Sequence, residues 1–351
     1  MISIIIPCGK FDSSDLENDR LIKFSKQLES FKYVKFNEND EIIFVESSPN
    51  GPKLQNFIRR NYRGSAVLKY NFIEPRKEDE GFFNQSLIKN VGILIAKNDF
   101  ILYINSDIIL QNNALQTLKQ SFEENPNRFI ICARHDIFLN NNEVNENFYK
   151  SINQIENYQQ KEITLEDAGW YYCLDKDYRT EKIKNDIKLF TFQEYNNKLN
   201  YDFMSGYIVF GDFIAVKKEF ILQNPFDENC LALTDAFIRD ILFSRLDNLE
   251  FYPIHHLTSC FHLSGSDYQG QVTEDNPKRL RLHHDQEYLM KKYPELNFWS
   301  IFGFHKEFID FINTTFTKEE IKNFVDKYFT AVLRTYYTNK VEFEQEYGIK
   351  L

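Results

Sequence analysis

The chain is poor in residues that punctuate or cross-link a structure. Its 351 residues include 9 Pro, 12 Gly, 5 Cys, 3 Met and 2 Trp. So little Pro and Gly argues against low-complexity linkers. The cysteines (Cys8, Cys132, Cys173, Cys230 and Cys260) are odd in number and form no C-x-x-C pair. That speaks against a disulfide framework or a zinc finger and fits a reducing compartment. Basic residues are also short, with 42 Lys and Arg against 52 Asp and Glu, a net charge of −10 and a pI near 5.4. Non-specific nucleic-acid binding needs a positive surface and is disfavoured. A phosphorylated small molecule stays open, because a few local basic groups or a bound cation can neutralise it. No run of about 18 apolar residues is present, so no membrane-spanning helix is expected. The opening MISIIIPCGK has no charged n-region and too short an apolar run for a secretory leader.

What remains is enough for a real core. Hydrophobic residues make up 42% of the chain, with 34 Phe and 20 Tyr among them. The length suits one large domain or two ordinary ones. Apolar runs read as buried strands at residues 2–6, 41–45, 66–72, 100–104 and 129–133. Between them lie helical patterns. Leu21, Phe24, Leu28 and Phe31 share one face, residues 53–60 and 114–122 read as helices, and Leu87, Val91, Leu94 and Ile95 mark another. Such alternation predicts an α/β fold with a mostly parallel sheet flanked by helices. Residues 136–200, rich in Asn, Glu, Lys and Tyr, read as an insertion or a partly helical excursion. Order returns at 207–216, a helix is expected near 231–246, and residues 271–351 read as a C-terminal helical extension to a domain spanning 1–270.

In open parallel sheets ligands bind beyond the carboxyl ends of the strands. Three polar stretches are expected there: Pro7-Cys8-Gly9, Glu46-Ser47-Ser48 and Asn105-Ser106-Asp107. The last is unusual. Apolar runs close on it from both sides, and it turns without glycine or proline. Asp107 reads either as a site acid or as a turn or helix-capping acid.

These segments in order resemble family-2-type glycosyltransferases with the GT-A fold. SIIIP resembles their first strand, EIIFVESSP their second, and QSLIKNVGILIAK their R-N-x-G helix. FILYINSD resembles the strand into their D-x-D motif, and PFDE their G-F-D-E turn. The first acid of D-x-D is here Asn105, the Arg of R-N is Lys89, and the usual Glu-Asp pair is Thr234-Asp235.

The resemblance implies transfer of a sugar from a nucleotide-diphosphate donor, a UDP-sugar, to a hydroxyl on a glycan or glycolipid, with inversion. Mn²⁺ or Mg²⁺ would be held by Asp107 and His262, the latter also readable as a packed histidine. Pro7, Glu46, Lys89, Asn105 and Ser106 would line the nucleotide site, with Glu46 accepting from the base. Asp235 would take the acceptor proton, with Asp240 as the alternative. Asp227 and Glu228 would shape the acceptor side or cap a helix. Trp170, Tyr171 and Tyr172 read first as core. The implied setting is surface-polysaccharide synthesis in the cytoplasm or at the inner membrane face. The C-terminal helices read as packed or as a peripheral contact. The rival reading is a non-catalytic nucleotide-sugar-binding or scaffold relative. A nucleotidyltransferase fits less well, since the first loop carries a single glycine, Gly9.

Overall fold

The computed structural model describes residues 1–9, 15–49, 51–79, 83–137, 144–153, 213–231, most of 238–263, and a few between 285 and 293. Contacts divide the chain into two units, Met1–Gln159 with Val209–Gln269, and Gln160–Ile208 with Gly270–Leu351. In the second, the Tyr293 N–H donates to the Leu289 carbonyl at 2.8 Å. The remainder of the expected C-terminal helices lies outside the described residues.

The first unit begins with β1 (Ile2–Gly9), α1 (Asp15–Ser30), β2 (Glu41–Ser47), α2 (Leu54–Asn61), β3 (Val67–Ile73), α3 (Gln85–Ile95), β4 (Phe100–Tyr103) and β5 (Ile108–Leu110). Then come α4 (Ala114–Glu124), β6 (Arg128–Ile131), β7 (Ala133–Ile137), α5 (Glu146–Ile152), β8 (Ile214–Lys217), α6 (Lys218–Gln223), β9 (Glu250–Pro253) and β10 (Ser259–Leu263). The main sheet has the order β3-β2-β1-β4-β8-β6-β9, and a second, smaller sheet has the order β5-β10-β7. In the main sheet only β8 runs antiparallel to its neighbours. The expected mixed α/β fold with a mainly parallel sheet and flanking helices is what the chain adopts.

Local pattern explains most of this. The central strand β1 is buried nearly throughout, hence its apolar run, interrupted only by Ser3, which bonds Glu41. Strand β3 lies at the sheet edge and is only partly buried. Phe24 and Leu28 of α1, with Phe31 just after it, enter the main core with Ile4, Ile6 and Phe44. Gly92 lets α3 lie close on β1, because a β-carbon there would stand 2.5 Å from Ile5 Cγ2. One expectation is corrected. The run FIICA is not one strand, since Cys132 separates β6 from β7 and the two enter different sheets. The region read as an insertion or a partly helical excursion, from 136, begins inside β7 and contains the helix α5. Tyr149 of α5 donates to the Lys26 carbonyl of α1 at 2.9 Å and packs with Ile109, Phe261 and Leu263 in a second core. Among the described residues no helix is long and apolar enough to cross a membrane.

At the amino edge of the sheet, Glu41 ties three strands together. Its carboxylate accepts from Ser3 Oγ at 2.6 Å and from the Lys97 N–H at 2.6 Å, and it pairs with Lys69 Nζ at 2.7 Å. Burial raises its pKa, but Lys69, the Lys97 N–H and Ser3 outweigh burial, and the group lies below its ordinary 4.5. A lowered folded pKa gives stability that is in place above 4.5 and is lost as pH falls through the folded value. Glu41→Gln is therefore expected to lower the urea midpoint at neutral pH. It should also flatten the midpoint's decline below pH 4.5. A parallel decline in both proteins would show that Glu41 contributes nothing to the acid transition.

Candidate functional site

Strand order reverses between β1 and β4, the kind of switch point beside which open parallel sheets bind ligands. The pairing of β4 with β1 stops at Tyr103 opposite Ile5. The Ile5 carbonyl faces β4 and accepts from the Ile104 N–H at 3.3 Å. Along a strand the bonding direction alternates, so Pro7 faces the same side two residues on, where β4 has already ended. A residue with no N–H sits there without breaking the ladder. Pro7-Cys8-Gly9, expected as a loop, is the last part of β1 and pairs with Val45-Glu46-Ser47.

Beyond β4 the chain turns through Asn105-Ser106-Asp107 into β5, which joins the second sheet. Register there brings distant residues together: His262 of β10 lies opposite Ile108, and the Leu263 N–H donates to the Asp107 carbonyl at 3.0 Å. The result places His262 Nε2 3.3 Å from Asp107 Oδ2. These were the two metal candidates, 155 residues apart in sequence. Asp107 is the more exposed, at 33% of its side chain against 8% for His262. A carboxylate oxygen and an imidazole nitrogen at this separation suit a divalent cation that takes its other ligands from phosphate and water. Among the described residues no third His, Cys, Asp or Glu joins them to make a cluster of three.

Glu46 stands differently from its expected place. It lies within β2, buried, rather than in a loop after it. Its carboxylate accepts from the Lys53 N–H at 3.0 Å, the Leu54 N–H at 2.9 Å and Tyr70 Oη at 2.5 Å. It thus closes the amino end of α2 from a neighbouring strand and fastens β3 to β2. The Cys8 thiol alongside is pushed well above its ordinary pKa, first by burial and then by the Glu46 charge, and is no nucleophile.

Lys89 is fully buried in α3, although a helical lysine is more often solvent-facing. Its Nζ lies 5.3 Å from the Phe226 ring centre and 5.7 Å from that of Tyr103. Those two rings meet edge to face at 5.4 Å. A cation on aromatic faces in a desolvated position is held by the ring quadrupole.

The 225–230 segment is fixed by a polar network that the sequence reading did not single out. Arg76 donates to Asp79 at 2.9 Å and to the Glu228 carbonyl at 2.6 Å, and its Nη1 lies 3.3 Å from the Glu228 carboxylate. Asn84 donates to Asp79 at 3.0 Å and to the Glu228 carbonyl at 2.8 Å, while its own carbonyl caps α3 at the Leu87 N–H. Asn90 bonds both the Phe226 carbonyl and the Glu228 carboxylate. Asp227 makes a local turn, accepting from the Asn229 N–H. The letters show only an acid, Asp79, three residues after Arg76; that Asp79 is buried comes from the fold.

Gln27 was missed as well. It falls three residues after Phe24, on the apolar face of α1, and donates into the Asn105–Ile108 turn. Asp235 and Asp240 lie outside the described residues, as do Trp170, Tyr171 and Tyr172.

No protein-family model matches the chain, and a search of curated proteins finds no relative. Solved structures do resemble it. S. aureus TarS 1-349 in complex with UDP-GlcNAc superposes with a TM-score of 0.50 at 11% identity, covering 95% of this chain and 82% of that one. A longer S. aureus TarS structure gives 0.46 at 12% identity, and this chain spans only 43% of its length. A mannosyltransferase from Pyrobaculum calidifontis in complex with GDP-Man and Mn²⁺ gives 0.45 at 8%, covering 99% of this chain and 83% of that one. At these identities the likeness is one of fold.

Proposed function

We propose that this chain is a glycosyltransferase of the GT-A type. It moves a sugar from a UDP-sugar to a hydroxyl of a glycan or glycolipid, with inversion and with a bound divalent cation. The observation that carries the reading is the meeting of Asp107 and His262 at the carboxyl end of β4, beside the switch point of the sheet. A fold shared with UDP-GlcNAc-bound TarS supports it.

In this reading Asp107 and His262 would hold Mn²⁺ or Mg²⁺, which when bound would supply positive charge against the departing diphosphate. Pro7, Asn105 and Ser106 border the nucleotide. The acceptor oxygen forms its bond to the anomeric carbon, the bond to the diphosphate oxygen breaks, and the acceptor proton passes to a carboxylate. Asp235 is assigned as that base, with Asp240 as the alternative. The Arg76–Asp79–Glu228 network holds the segment that leads into both.

Calorimetric titration of UDP with and without Mn²⁺ is the test, followed by turnover with UDP-GlcNAc, other UDP-sugars and GDP-Man. Mn²⁺-dependent UDP binding and release of UDP in the presence of an acceptor are expected. Absence of binding by any nucleoside diphosphate in the presence of metal would overturn the reading. A second reading, binding without turnover, is favoured by the amide at Asn105 and by the commitment of Glu46 to backbone donors. Metal-dependent binding with no sugar transfer or hydrolysis from any donor would establish it.

A further inference from the structure

The Asn105–Ile108 turn carries Asp107 but has neither glycine nor proline to shape it. The turn's own closing bond, from the Ile108 N–H to the Asn105 carbonyl, is long at 3.3 Å. A stronger hold comes from α1. Gln27 Nε2 donates to the Asn105 carbonyl at 2.6 Å and to the Ile108 carbonyl at 2.8 Å. Gln27 is fully buried, and its Oε1 has no hydrogen-bond partner among the described residues. A buried amide oxygen left unbonded is costly, so the residue is kept for its two donors. The amide cannot be turned over, because its oxygen would then face two carbonyl oxygens.

We infer that Gln27 is the positioning residue of the Asp107 turn. It sets from a helix the loop shape that turn residues set elsewhere, and so aims the Asp107 carboxylate at His262. Helix α1 is itself held next to Gln27, where the Tyr149 hydroxyl of α5 donates to the Lys26 carbonyl. The turn, α1 and the second core thus form one support. The functional part of the inference rests on the proposed cation site, but the geometric part does not.

Gln27→Met keeps the length and removes both donors. Two readouts separate the claims. Hydrogen exchange measures the turn directly: amide exchange across residues 104–108 is expected to speed up by about tenfold in Gln27→Met. The core variant Ile58→Val, in α2, should leave it unchanged. Calorimetry then measures the site. Mn²⁺-dependent UDP affinity is expected to fall by about 10- to 100-fold, with metal-independent UDP binding unaltered. If Gln27→Met does not fold, Gln27→Asn, which draws the donors back by one methylene, is expected to give a smaller change of the same sign in both readouts. Unchanged exchange in the turn overturns the inference whatever the ligand. Faster exchange with unaltered Mn²⁺-dependent binding overturns its functional part. A wild-type protein that binds no UDP with Mn²⁺ defeats the proposed function instead and leaves hydrogen exchange to judge Gln27.

Discussion

Asp107→Ala is expected to abolish Mn²⁺-dependent UDP binding while leaving the fold in place. The side chain is one-third exposed and follows the end of β4, so its loss opens no core cavity. What it removes is the carboxylate of the Asp107–His262 pair. Even outer partners of metal ligands cost about 10- to 100-fold when mutated, and an oxygen ligand should cost at least the upper figure. Any kcat/KM for sugar transfer should fall at least as far, since the ion's charge matters most as the diphosphate departs. Asp107→Asn tests charge against shape: it keeps a weak oxygen ligand and should bind between the two. His262→Gln should weaken Mn²⁺ more than Mg²⁺, because imidazole favours the softer ion. Full Mn²⁺-dependent binding by Asp107→Ala would reduce the 3.3 Å contact to a structural one.

Glu46→Ala is expected to act on stability first. The carboxylate satisfies three donors: the Lys53 and Leu54 N–H groups and the Tyr70 hydroxyl. Only the Leu54 bond is fully buried, and an unmatched buried donor costs about 1–3 kcal/mol; the Lys53 and Tyr70 donors are partly reached by water and add less, so a total of about 2–3 kcal/mol is expected. In urea this reads as a lower midpoint with an unchanged slope. Tyr70 supplies an internal check. Its hydroxyl is raised well above its ordinary pKa, first by burial and then by the bond to Glu46. In Glu46→Ala the Tyr70 titration should therefore move back down, which ultraviolet difference spectra follow. A variant of wild-type stability that had lost only UDP affinity would return Glu46 to the base-contacting role that its place in the sequence suggests.

Both predictions turn on the same distinction. Strand and helix were legible because their signals are local. The run Ile2 to Ile6 is apolar at every position but Ser3 because β1 is buried on both faces. The spacing of Phe24, Leu28 and Phe31 is the period of a helix on one core. The carboxyl-edge placement of Asp107 followed from the strand before it. Even the oddity of a turn without glycine was visible in the letters alone.

Which groups meet was decided elsewhere. His262 reaches Asp107 only because β5 leaves the main sheet and pairs with β10 in a particular register, and a slip of one residue would send the imidazole to the opposite face. Glu46 reads as a loop acid in sequence, yet β2 runs one residue beyond it and its carboxylate turns to the start of α2. Gln27 looks like a flaw in an apolar stripe and is the clamp of the turn. Periodicity is a property of neighbouring residues and can be read along the chain. Register, burial and the matching of donors to acceptors join residues far apart, and only the folded chain brings them within bonding distance.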